Sequence, residues 1–153
     1  MDVLRLLDGV VLATCAAAYL GTGVTLRWFL LPIAPSLTPA TYKTPFVEPI
    51  ARATRAFTPM SGVMLVGAAG LIALELGTAR WIAPAVYLVA TIAASLVTTR
   101  LIFPVNARMR AGISDPEELQ QILTHWRHVN TIRFQVWIVE WVAIVGWWVA
   151  RGA

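Results

Sequence analysis

The chain has 153 residues, of which 58% are hydrophobic and 13% charged, and its mean hydropathy is +0.71. An average soluble domain carries about 25% charged residues, so too few polar groups are present to cover a globule in water, and the surrounding solvent is expected to be lipid. The net charge of +4 reports loop topology in such a protein, and because the basic residues are dispersed and form no stripe with aromatics, nucleic acid is excluded as a partner.

The length accommodates one domain. A single cysteine, Cys15, excludes an intramolecular disulfide and any cysteine-based metal site. At the amino terminus Asp2 and Asp8 cancel the positive end that a secretory leader needs, and Thr14 is a poor residue before Cys15, so the first apolar run is expected to stay as a helix. Charge-free runs cover 9–26, 56–74 and 81–99, and a fourth run, 134–150, is broken only by Glu140. A bilayer core takes about 20 residues of helix. The fold class expected is therefore all-α, an integral membrane four-helix bundle with spans at about 9–31, 56–75, 81–103 and 132–150.

Small residues suggest where helices touch. Ala13, Ala17 and Gly21 recur every four residues on the first span, and Gly62, Gly67, Gly70 and Ala73 thin the second. The first loop contains Pro32, Pro35, Pro39, Pro45 and Pro49, which forbid one continuous helix across it. The second loop, at 77–80, is so short that the second and third spans must form an antiparallel hairpin. The third loop ends in Ser114-Asp115-Pro116-Glu117-Glu118, a capping box with proline in the first turn. The last helix then runs from about Pro116 to Ala150, some 50 Å at 1.5 Å per residue, and its first turns project beyond a core of about 30 Å.

Nine basic residues flank the first and third loops (Arg27, Lys43, Arg52, Arg55, Arg100, Arg108, Arg110, Arg127 and Arg133), against Arg5, Arg80 and Arg151 at the other end. This places the first and third loops in the cytoplasm and both termini outside. Arg27 with Pro32 and Arg100 with Pro104 also hint at a parallel repeat of two helix pairs.

The last helix carries the polar groups of interest. With Arg133 at zero on a helical wheel, Trp126 lies at about 20°, Trp137 at about 40°, Asn130 at about 60° and Glu140 at about −20°. They share one face, and polar groups in a span normally face the bundle interior because lipid exposure costs several kcal/mol. Arg133 sits at the membrane boundary, where it either snorkels to headgroups or belongs to a site. Glu140, two turns deeper, cannot snorkel. It is either neutral in a dry interior or held ionised by water or by an arginine, with Arg27 and Arg100 as candidates. Trp28, Trp81, Trp147 and Trp148 read as interfacial anchors. His125 and His128 fall at about −80° and −140° and make a poor metal pair, with no cysteine nearby and Asp115, Glu117 and Glu118 a few turns back; His125 borders the polar face and is a candidate base.

Pro104-Val105-Asn106, followed by Trp126-Arg127-His128-Val129-Asn130-Thr131-Ile132-Arg133, resembles the anthrone-oxygenase-like family of small four-helix membrane proteins. The likeness covers the length and, in detail, the last third; the first two spans match in pattern alone. It implies oxidation of an anthrone to an anthraquinone by O₂ with no cofactor, metal or flavin, an activity known for fungal members, while most bacterial members have no assigned function. The motif positions are Asn106, Trp126, Asn130 and Arg133. Asn130 stands where some relatives have histidine, and asparagine takes no proton.

Two functions follow as expectations. In the first, a membrane oxygenase acts on a lipophilic aromatic or quinone-like molecule: Glu140 or His125 takes a proton, Arg133 with Asn106 and Asn130 holds the resulting anion, and Trp126 and Trp137 stack on the rings. In the second, a non-catalytic module binds a lipid or quinone, or serves as a subunit of a homo-oligomer or larger membrane complex. The expected setting is the lipid bilayer of a bacterial inner membrane. A transport pathway would need broken helices at the midplane. A cavity beside Trp137 separates the two main alternatives.

Overall fold

The computed structural model describes residues 3–152. Its helices are α1 (Val3–Thr25), α2 (Glu48–Glu75), α3 (Ile82–Val97), α4 (Phe103–Ala111) and α5 (Pro116–Ala150). Short non-α turns join these into four rods, Val3–Ser36, Lys43–Glu75, Ala79–Ala111 and Pro116–Ala150, of 34, 33, 33 and 35 residues, each long and apolar enough to cross a membrane. The protein is an all-α four-helix membrane bundle. α5 has the expected ends, with Asp115 as its N-cap: the carboxylate accepts from the Glu117 and Glu118 amides at 3.1 and 3.4 Å, and Pro116 opens the helix.

The other rods are longer than the apolar runs predict. The second begins at Lys43 and the third ends at Ala111, because Arg52, Arg55, Arg108 and Arg110 mark where the apolar stretch stops and do not end a helix. The first loop shrinks accordingly to 37–42. Of its five prolines only Pro39 lies in the connecting turn; the others are taken up in helical turns.

Two of those prolines and one in the third rod share a local signature. A π turn occupies Leu26–Leu30, Lys43–Val47 and Thr98–Ile102, and Pro32, Pro49 and Pro104 follow two residues after each. In every case the residue just before the proline donates its amide five residues back: Leu31 to Leu26, Glu48 to Lys43, Phe103 to Thr98. Proline has no N–H, and its ring crowds the carbonyl four residues earlier; the wider turn moves that carbonyl aside.

The rods form a ring in which α1 and α3 each pack against both α2 and α5. Inward positions alternate by three and four residues, as in Trp126, Asn130, Arg133, Trp137, Glu140, Ile144 and Trp147 of α5, the seam of a coiled-coil-like bundle. At the end nearer the second loop, Leu12, Ala16, Met64, Leu71, Tyr87, Ile144 and Trp147 make a tight core. At the opposite end Tyr42, Phe46, Met109, Leu119, Leu123 and Trp126 make another. There the Tyr42 hydroxyl donates to the Met109 carbonyl at 2.9 Å and accepts from the Ile113 amide at 3.0 Å.

Three expectations about packing change. Trp147 is no interfacial anchor: it is fully buried against Gly9, where an added Cβ would lie 2.4 Å from its ring. The Ala13, Ala17 and Gly21 row does not mediate close approach, since Ala17 and Gly21 are exposed and nothing lies near Gly21. Gly23 does, because a Cβ there would meet Phe134 at 2.2 Å and Trp137 at 3.0 Å. Finally, the three arginines opposite the basic end are not dispersed. Arg80 and Arg151 reach the fully buried Glu75 carboxylate at 3.1 and 3.2 Å, and Arg5 approaches it at 3.7 Å while donating to the Leu74 carbonyl. Because Gly77, at φ 90°, turns the chain directly into the next rod, this cluster ties all four rods at one level.

Gly23→Ala is expected to destabilise the detergent-solubilised protein by about 1–3 kcal/mol through overpacking, whereas Gly21→Ala, in open space, changes stability by less than about 0.5 kcal/mol. Thermal unfolding of the two variants side by side checks the difference.

Candidate functional site

Between the two cores lies a cavity of about 500 Å³, within the range of small-molecule sites. α5 lines it with Trp126, Arg133, Trp137 and Glu140, α4 with Asn106, α3 with Thr91 and Thr98, α2 with Phe57 and Ser61, and α1 with Tyr19. All three π turns contribute walls, through Leu26, Phe29 and Leu30, Pro45, and Thr98, Thr99 and Ile102.

Arg133 turns inward and does not snorkel. Its Nη2 donates to Asn130 Oδ1 at 2.6 Å, its Nη1 to Thr98 Oγ1 at 3.4 Å, and its Cζ stands 4.5 Å from the centre of the Trp137 ring. The buried Nε has no partner, and among the described residues no carboxylate pairs with this guanidinium. A cation withdrawn from water with so few partners favours an anionic or strongly polar oxygen beside it.

Glu140 is fully buried, and among the described residues neither carboxyl oxygen has a hydrogen-bond partner. Thr91 stands beside it, but the Thr91 hydroxyl donates to the Tyr87 carbonyl at 3.0 Å. Arg27 and Arg100, the expected counter-ions, are exposed on the outside of the bundle. A helix facing the bundle interior all along one seam holds their side chains away from this level.

The remaining predicted residues divide. Asn106 and Trp126 meet, the indole Nε1 donating to Asn106 Oδ1 at 3.0 Å, and Phe46 packs edge-on to Trp126 at 5.3 Å. Asn130 lies behind Arg133: its Oδ1 holds the guanidinium and its Nδ2 donates to the Trp126 carbonyl at 2.8 Å. It orients the cation and does not line the cavity. His125 does not join the group at all. It is exposed, with His128, on a polar outer face beside Gln121, Thr124 and Arg127, because its wheel position lies nearly a quarter turn from the seam. That placement withdraws it as a base for anything bound in the cavity.

Tyr19, Phe57, Ser61, Thr91 and Thr98 are site residues that the sequence does not single out. Tyr19 donates to the Phe57 carbonyl at 2.8 Å, lies 2.7 Å from Ser61 Oγ, and stacks obliquely on Phe57 and Trp137 at 4.7 and 5.1 Å. The one signal for them is seam spacing, since Tyr19 follows Leu12 by seven residues and Phe57, Ser61 and Met64 step by four and three.

Asn106→Leu is expected to cost about 1–3 kcal/mol by stranding the Trp126 N–H. A double variant with Trp126→Phe should cost less than the sum of the two single variants, because each already breaks the same bond; denaturation of the four proteins in one detergent measures this. Compared with known proteins, the chain matches no family model, no curated protein and no solved structure.

Proposed function

We propose that this protein binds a lipophilic aromatic, quinone-like molecule within the membrane and oxidises it with O₂, without metal or flavin, as the resemblance of its last third to the anthrone-oxygenase-like family implies. The observation that carries this reading is one chamber containing an inward-turned cation without a counter-ion, Arg133, and an unpartnered carboxyl two turns away, Glu140. Trp137 and Phe57 supply flat apolar walls for a ring system.

With an anthrone as substrate, the Glu140 carboxylate takes a proton from the ring methylene, and the electron pair moves onto the carbonyl oxygen. Arg133 stabilises the resulting enolate, an effect magnified where water is excluded. O₂ adds at the carbon, the peroxide regains the proton from Glu140, and loss of the second methylene proton with cleavage of the O–O bond leaves a new carbonyl and one water. The sum is anthrone plus O₂ giving anthraquinone plus water. Asn130 acts here by holding Arg133, and Glu140 supplies the base that asparagine cannot be.

The Asn106–Trp126 bond favours a second reading, in which α4 and α5 are clasped in a non-catalytic module that binds lipid or quinone or enters a larger membrane complex or homo-oligomer. In both readings the basic end with the π turns faces the cytoplasm of a bacterial cell and the Glu75 end faces outside, supported by the nine basic residues at the first end and the neutralising cluster at the second.

Chelator-treated, purified protein is expected to consume O₂ with an anthrone. Arg133→Ala and Glu140→Gln should each lower turnover about 100-fold or more while remaining monodisperse in detergent. Ligand binding with no turnover across a panel of hydroxyaromatics would leave the module, and loss of folding in Arg133→Ala would make that residue a clasp.

A further inference from the structure

The hydrogen-bonding groups of the cavity have a direction. Ten hydroxyl side chains line it, and nine of them donate their proton to a main-chain carbonyl, among them Thr54 to Ile50 at 2.9 Å, Thr91 to Tyr87 at 3.0 Å and Tyr19 to Phe57 at 2.8 Å. Ser95 is the exception among the described residues. A hydroxyl whose proton is committed offers only lone pairs to a ligand. At the level of Glu140 these lone pairs join the two unpartnered carboxyl oxygens. If Glu140 carries a proton, the Thr91 oxygen beside it can accept that proton, and the second carboxyl oxygen is still unmatched. With Glu140 ionised, as the proposed chemistry requires, the carboxyl and Thr91 oxygens at this end offer acceptors alone.

The opposite end is rich in donors. Among the described residues Arg133 Nε has no partner, and the Asn106 amide accepts from Trp126 through its oxygen, which leaves its Nδ2 as a further donor. Seven residues of α5 separate Arg133 from Glu140, a rise of about 10 Å, close to the length of two or three fused rings.

We infer that the cavity selects the reduced, hydroxyl-bearing form of an aromatic ligand over its oxidised or O-alkylated form: one ligand oxygen accepts from Arg133 and Asn106, and an O–H at the far end of the rings donates to the Glu140 and Thr91 oxygens. A quinone or an aryl ether presents only acceptors, so at the Glu140 end lone pairs face lone pairs, and buried acceptors left unmatched are costly. This inference rests on the aromatic-binding reading above and sharpens it. An anthraquinone, whose new carbonyl replaces the methylene that faced Glu140, meets the same mismatch, which favours release of the product.

The test uses a naphthalenediol carrying its hydroxyls at opposite ends of the ring system, and the dimethyl ether of the same diol, titrated calorimetrically into the full-length protein in detergent. The diol is expected to bind at least about tenfold tighter. Because both compounds also partition into micelles, the decisive quantity is how that ratio changes in Glu140→Gln, whose amide supplies a donor, and in Thr91→Val, which removes one acceptor. Both variants should narrow the ratio at least about threefold. Equal binding of diol and ether, or a ratio that survives in whichever of the two variants folds, overturns the inference and leaves the aromatic-binding reading standing. Binding of neither compound overturns both.

Discussion

A helix inside a bilayer has no water to satisfy a main-chain group, so each of its carbonyls must find a partner within the protein. Three of the four rods nevertheless carry a proline inside the rod, beyond the first turn where its missing N–H is tolerated. The conflict is settled three times in the same way, by a π turn whose last amide bonds five residues back just ahead of the proline. A wider turn is a thicker rod with one residue more per turn, and where three such turns meet at one level the seams no longer close on each other. The chamber lies there, walled by those turns. The space for a ligand is thus a consequence of how the backbone accommodates proline, and the side chains that face it are placed by the same seam that builds the core.

That seam also accounts for the chemistry of α5. Steps of four and three residues carry one stripe from Trp126 to Trp147, so a cation, an indole and a carboxyl arrive in the chamber in a fixed vertical order. Asn130, on the same stripe, is drawn aside to hold Arg133 at 2.6 Å. The guanidinium is then fixed by an amide, the Thr98 hydroxyl and a ring face, while among the described residues its Nε has no partner. Charge without a neutralising partner is costly in a protein interior, and here the cost is localised where a bound oxygen would relieve it.

Much of this was legible in the sequence. The four-helix class followed from the scarcity of charge, the ends of α5 from its capping residues, and the shared face of Arg133, Trp137 and Glu140 from helical spacing alone. Three things were not. The apolar runs located the bilayer and not the helix ends, because charged residues such as Arg52 and Arg108 continue a helix into water without interrupting it. Glu75 gave no sign of its burial, since its three arginines are brought together only by the fold. The walls contributed by Tyr19, Ser61 and Thr91 come from spans whose sequence reads as ordinary apolar helix, in which a hydroxyl bonded to its own backbone is common. His125 is near the site in sequence, yet less than a quarter turn of helix is enough to put it outside.

The Glu75 cluster has a mechanical consequence. One carboxylate there is shared by arginines from the start of the first rod, the first turn of the third and the end of the fourth, while the second rod supplies the carboxylate itself. The bundle is riveted at that end. Relative rotation of the rods is therefore smallest there, and the leverage of any splaying grows with distance from it toward the proline-bearing turns, with a single buried side chain as the pivot.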